Sequence, residues 1–126
     1  MAFIRLMEYE WSDNPHEVDY YIPDSWDVTV YHITGYQKPV LTPEQIGSAI
    51  TSPIGTSRLR DLARSKKKVC ILFDDMVRGT PAFKVVPAVL SELKAGGIKD
   101  NQIEFICAIG AHQVWDRSAL VRKLGA

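Results

Sequence analysis

Residues 69–112 read VCILFDDMVRGTPAFKVVPAVLSELKAGGIKDNQIEFICAIGAH, and the fold turns on this stretch. Val69–Phe73 is continuously apolar, short and bounded by charge, the pattern of a strand covered on both faces, as in a parallel sheet. Ile103–Ile109, IEFICAI, reads as a second buried strand. Between them Thr80-Pro81 opens a helix whose apolar set is Ala82, Val85, Val86, Val89, Leu90 and Leu93. Pro87 lies inside that pattern; it lacks a donor and its ring opposes the carbonyl four residues back, so a kink is expected near Phe83. Gly96-Gly97 ends the helix. Strand, helix, strand over Val69 to Ile109 is a βαβ unit, with a right-handed crossover and two parallel, adjacent strands. Gly110-Ala111-His112 then turns the chain into a last helix, Asp116–Leu124, closed by Gly125.

Upstream, Thr42-Pro43-Glu44-Gln45 is a helix start, with Thr as N-cap and Pro at the first helical position. That helix ends near Thr51. A second is expected over about Ser57 to Arg64, with Leu59 and Leu62–Ala63 facing inward. The first third reads as β. Ala2–Trp11 and Glu17–Ile22 form a hairpin around Asp13-Asn14-Pro15-His16, and Asp27–Ile33, DVTVYHI, alternates as a strand buried on at least one face. Ser65-Lys66-Lys67-Lys68 reads as a solvated loop ahead of the first parallel strand.

The 126 residues amount to about one domain, with 46% hydrophobic and 24% charged residues. Lys+Arg and Asp+Glu are both 15, and that balance argues against a dedicated nucleic-acid binder. No apolar run approaches the roughly 20 residues of a membrane span, and Glu8 and Glu10 interrupt any signal-peptide core at the N-terminus. Cys70 and Cys107 lie in apolar runs without C-x-x-C spacing, which suits buried thiols in a reducing cytoplasm rather than a zinc or redox pair. His16 and His32 read as structural, and Trp11, Trp26 and Trp115 as packing residues.

Ligands of open α/β sheets bind beyond the carboxyl ends of the strands. Parallel neighbours therefore bring Asp75, Arg78 and His112 to one rim. Arg78 offers a planar fork for a carboxylate or phosphate. His112 can exchange a proton, free imidazole having a pKa of about 6.5. Asp75 can orient either one or bind a hydroxyl. Thr80 and the amides after it form a helix N-terminus that favours an anion. The plainer alternatives are that Asp75 caps a turn, that Arg78 pairs with Asp74 or Asp75 at the surface, and that His112 is an ordinary loop histidine. The residues alone leave the reaction open.

At these positions the sequence resembles the N-terminal part of the nickel-dependent lactate racemase family. The resemblance rests on Pro53-Ile54-Gly55 and then Leu59 through Gly125, read as PIGTSRLRDLA, KKKVCILFDDMVRGTP and AIGAHQVWDRSALVRKLG. It implies an aspartate-x-x-arginine motif at Asp75 and Arg78 and a glycine-x-histidine at Gly110 and His112. The implied architecture is an incomplete N-terminal α/β domain over residues 1–126. It holds a hairpin and strand over 1–34, helices over 42–65 and a Rossmann-like βαβα unit over 69–125. The implied chemistry is racemisation or epimerisation of a 2-hydroxy acid by hydride transfer through a 2-keto acid, on a nickel-pincer nucleotide. Here His112 matches one of two catalytic histidines, Arg78 the arginine that holds substrate carboxylate, and Asp75 the motif aspartate; Thr80 is assigned to the cofactor side, and no metal ligand falls in this chain. Val77, Gly79 and Gln113 depart from the family pattern beside the substrate, which leaves the 2-hydroxy acid open to lactate or to a larger or differently charged one. Members are several times longer. The expectation is thus a substrate-binding part that is inactive and binds no cofactor alone, exposes an apolar edge and self-associates, with the missing part or a separate cofactor-bearing chain as partner. The other readings are a non-catalytic ligand- or nucleotide-binding module and a structural subunit of a split enzyme.

Overall fold

The computed structural model describes residues 2–8, 16–35 and 37–125, and the chain divides into two units, residues 1–40 and 41–126. In the first, β1 (Ala2–Glu8) pairs antiparallel with β2 (His16–Ile22), with Ile4 opposite Tyr20 and Arg5 opposite Asp19. Arg5 grips Asp19 in two parallel bonds, Nε to Oδ1 at 2.7 Å and Nη2 to Oδ2 at 3.1 Å. So exposed a pair adds little stability, but it favours this register over a one-residue slip. The expected turn at residues 13–15 lies outside the described residues, as does Trp11.

One expectation fails in this unit. Asp27–Ile33 forms no strand. Val28, Val30, Tyr31 and Ile33 are all exposed, Tyr31 at 87%. Alternation marks a strand only where a neighbour accepts its hydrogen bonds, and β1 and β2 pair with each other alone among the described residues. Trp26 is likewise exposed rather than packed.

In the second unit, α1 (Pro43–Thr51) begins as the sequence requires. Thr42 Oγ1 accepts from the Gln45 amide, and the Gln45 side chain accepts from the Thr42 amide, a reciprocal capping box. Then come α2 (Leu59–Ala63), β3 (Val69–Asp74), α3 (Ala82–Ala95), a single 3₁₀ turn at Asp100–Gln102, β4 (Ile103–Ala108) and α4 (Arg117–Leu124). β3 and β4 are adjacent and parallel, with Val69 opposite Ile103 and Asp74 opposite Ala108. The architecture is thus mixed α/β, a parallel βαβ unit carrying helices together with an antiparallel hairpin.

Ala63, Leu93 and Ile98 form the buried centre, with Leu59, Val69, Ile71, Val89 and Ile103 packed around it. Leu62 turns outward instead. The expected apolar set of α3 is buried or half-buried throughout, while Pro87 sits on its exposed side. Thr80-Pro81 does not itself begin α3. Pro81 has φ −78° and ψ 69°, and the Ala82 amide bonds back to the Thr80 carbonyl at 2.8 Å. This is an inverse γ-turn, so the helix starts one residue later than the motif suggests.

The two strands are not covered on both faces. Burial alternates along β4, and in β3 Cys70 and Leu72 are exposed while Phe73 is buried. Leu72 at 70% exposure and Ile106 at 44% stand on an open apolar face. The expected burial of both thiols fails with it, since Cys70 is exposed and only Cys107 is partly covered. A continuously apolar run cannot reveal which of its faces is covered.

Glu92 is the least expected buried group of α3, at 3% exposure. Arg58 Nη2 donates to it at 2.9 Å, and Arg60 adds bonds from Nε at 3.1 Å and from Nη2. The Arg60 bonds, opposed by burial and reinforced by Arg58, hold the Glu92 carboxyl at about 2, well below the usual carboxylate range. The cluster ties the segment at α2 to α3 at the level where Gly96 lets the backbones meet.

Candidate active site at the β3–β4 rim

The parallel register sets the site. With Asp74 opposite Ala108, the chain leaves β3 as Asp75 and leaves β4 as Ile109, side by side. After β3 it turns at once, the Arg78 amide donating to the Asp75 carbonyl at 3.3 Å. After β4 it turns at Gly110, whose φ of 56° lies where residues with a Cβ rarely go, and the His112 amide closes on the Ile109 carbonyl at 2.9 Å. These turns enclose a cleft of about 400 Å³ lined by both strand ends, including Asp74, Asp75, Arg78, Gly110 and His112.

Asp75 is 2% exposed and holds two ligands. Its Oδ1 accepts from the Val77 amide at 3.1 Å, and its Oδ2 lies 2.6 Å from His112 Nδ1. Burial by itself would raise its pKa. The bond and charge of His112, the Val77 amide and the nearby indole of Trp115 outweigh that and hold Asp75 below the ordinary carboxylate range. The Trp115 Nε1 is itself buried with no acceptor at hydrogen-bond geometry, so the indole acts here by proximity more than by a formed bond.

The consequence is a defined imidazole. An ionised carboxylate only accepts, so Nδ1 of His112 carries the proton, and in the neutral ring the lone pair resides on Nε2. The ring is 40% exposed while its partner is enclosed. That is the arrangement of a base held from behind and open in front. Arg78, exposed on the same cleft, supplies a guanidinium to its lining. The site can therefore hold an anion at one point and take a proton at another.

Asp75, Arg78 and His112 are thus brought together as the topology requires. Asp75 does cap a turn, through Val77, and it also holds His112; the two roles coexist. Thr80 is exposed and does not line the cleft. Two further groups complete the surroundings. Asp74 lines the cleft, and Lys123 of α4 stands behind it with its side chain wholly enclosed. Lys123 falls four residues after buried Ala119, so the helix period places it on the inward face. Reading basic residues near a helix end as solvated hides that signal. No three His, Cys, Asp or Glu side chains gather as a metal site among the described residues.

Comparison with known proteins points in one direction. Residues 14–126 match the family described as the lactate racemase N-terminal domain. The chain is 29% identical over 90 residues to the lactate racemase of Lactiplantibacillus plantarum, covering 71% of this chain and 21% of that protein. It is 32% identical over 77 residues to the lactate racemase of Thermoanaerobacterium thermosaccharolyticum, covering 61% of this chain and 18% of that one. The structure of the lactate racemase apoprotein from Thermoanaerobacterium thermosaccharolyticum matches with a TM-score of 0.60 at 26% identity, over 99% of this chain and 27% of that one. The chain spans about a fifth of the length of the curated relatives it matches.

Proposed function

Because the chain belongs to the lactate racemase N-terminal domain family, we propose that its β3–β4 rim is the substrate end of a 2-hydroxy-acid racemase or epimerase. The observation that carries this reading is the enclosed Asp75 carboxylate 2.6 Å from His112 Nδ1, in the cleft that Arg78 also lines.

The roles follow from the groups. Arg78 binds the substrate carboxylate through its planar fork. His112, its Nδ1–H committed to Asp75, takes the hydroxyl proton at Nε2 as carbon 2 is oxidised toward a 2-keto acid, and gives it back on return. Asp75 fixes the ring's tautomer and stabilises the imidazolium that forms. A racemase also needs a base on the opposite face and an acceptor for the hydride. In the resemblance that acceptor is a nickel-pincer nucleotide. The residues described here do not gather as a nickel site. Both requirements are therefore assigned to sequence that the relatives carry outside the matched region, or to a separate chain. The chain by itself is expected to bind a 2-hydroxy acid weakly and not to turn it over.

The test is a titration of the isotope-labelled chain with lactate, followed by NMR. Shifts confined to the Asp75–Arg78 and Gly110–His112 turns are expected, with affinity strongly weakened but measurable at high lactate in Arg78→Ala and retained in His112→Ala. An affinity unchanged in Arg78→Ala would remove the carboxylate assignment. Nickel-dependent interconversion of L- and D-lactate catalysed by this chain alone, followed by chiral chromatography, would overturn the division of labour.

A further inference from the structure

Lys123 is 1% exposed, and its side chain is fully enclosed. Its Nζ donates to the Arg78 carbonyl at 2.8 Å and lies 3.4 Å from Asp74 Oδ1. A buried ammonium is costly unless it is paired and hydrogen-bonded, and both of these partners line the cleft. The contact crosses 45 residues of sequence, from the last helix to the turn after β3.

What it restrains is specific. Arg78, Gly79 and Thr80 are all exposed, beyond the end of β3 and ahead of α3. The backbone bond within this turn is the 3.3 Å contact from Arg78 to Asp75. The carbonyl of Arg78 belongs to the peptide plane it shares with Gly79, and glycine leaves that plane the widest choice of orientation. A donor from another element removes that choice. An arginine on an unrestrained turn would have to be ordered anew at each binding event, and that ordering is subtracted from affinity.

We infer that Lys123 is a positioning residue for Arg78: by holding the Arg78 carbonyl from α4, it presets the guanidinium for the anion. The inference rests on the proposed role of Arg78, and its test separates the two.

Lys123→Met keeps the apolar stem and removes the donors. In the folded variant the Arg78 carbonyl ¹³C resonance moves upfield while those of β4 hold, and lactate affinity falls about tenfold. In an Arg78→Ala background, Lys123→Met costs no further affinity, because its effect passes through Arg78. An unchanged Arg78 carbonyl resonance, or an equal loss of affinity in both backgrounds, overturns the inference. If wild type binds no lactate but the carbonyl shift occurs, the substrate reading falls while the hold of Lys123 on Arg78 is supported. Should Lys123→Met not fold, wild type decides. A slowly exchanging Lys123 ¹⁵Nζ signal coupled to the Arg78 carbonyl supports the inference, and exchange at the rate of a solvent-exposed lysine overturns it.

Discussion

Gly96 and Gly47 should respond to the same substitution with opposite signs. Gly47 lies inside α1, and a Cβ built there meets nothing within 4 Å. Gly47→Ala therefore removes backbone freedom from the unfolded chain without a clash, a gain of about 0.5–1 kcal/mol. Gly96 caps α3 at φ −81°, an angle any residue adopts, so its backbone does not demand glycine. Its surroundings do. An added Cβ would stand 2.6 Å from the Arg60 carbonyl oxygen, 3.0 Å from Ala63 Cβ and 3.2 Å from Arg60 Cα. Ordinary contact begins at 3.4 Å, so α2 would have to retreat by about 0.8 Å. It is not at liberty to do so, since Arg58 and Arg60 both grip Glu92 on α3 and Ala63 packs on Leu93. Overpacking of this kind costs about 1–3 kcal/mol, against an entropic gain of about 0.4–1, for a net loss of about 1–2 kcal/mol. Urea unfolding reads this directly, with a fall in midpoint of about 0.5–1 M for Gly96→Ala and a rise for Gly47→Ala. A Gly96→Ala midpoint at or above wild type would show that the α2–α3 contact is not the tight one described.

Leu93→Ala empties the centre of the core, where Leu93 is 1% exposed, and should cost about 2–5 kcal/mol in the same assay. Glu92 is held at about 2, against 4.5 for an unperturbed glutamate. Between those values the unfolded chain binds a proton that the folded chain does not, so the contribution of Glu92 is complete above pH 4.5 and is lost as pH falls toward 2. Stability measured across that window should fall in wild type and fall less steeply in Glu92→Gln; parallel slopes would remove Glu92 as the source. The open face of β3 and β4 should make the chain self-associate, so that sedimentation depends on concentration and Leu72→Lys, at a side chain 70% exposed, reduces the effect. A clean monomer at high concentration would count against it.

The βαβ unit was legible because its signals are local and agree. An apolar helical set, glycines after the helix and two apolar strands leave few alternatives. The rim followed from topology alone, since parallel neighbours must end together, and Asp75 and His112 do meet there. What was not legible depends on partners far along the chain. Whether Asp27–Ile33 becomes a strand is decided by a neighbour it does not have among the described residues, not by its own alternation. Whether Leu72 is covered depends on a second layer, and Val69–Phe73 reads the same either way. The ionic groups were hidden for a related reason. Glu92 and Lys123 look like surface residues until Arg58, Arg60 and the Arg78 carbonyl arrive from elsewhere to pair them.

The alternation along the sheet places its two thiols on opposite sides, and this gives the molecule built-in reporters. Cys70 stands on the open face beside Leu72, whereas Cys107, across from Phe73, faces the helices. Burial, and then the Asp75 carboxylate, push the Cys107 thiol up, which lowers its thiolate fraction at neutral pH. A thiol reagent should reach Cys70 without unfolding, since it is exposed, and any chain that docks over the open face should slow its modification. Modification of Cys107 should instead follow the opening of the helical layer and keep time with unfolding of the domain. Two rates from one sample would then separate the covering of the sheet from the loss of its core, without a label being introduced.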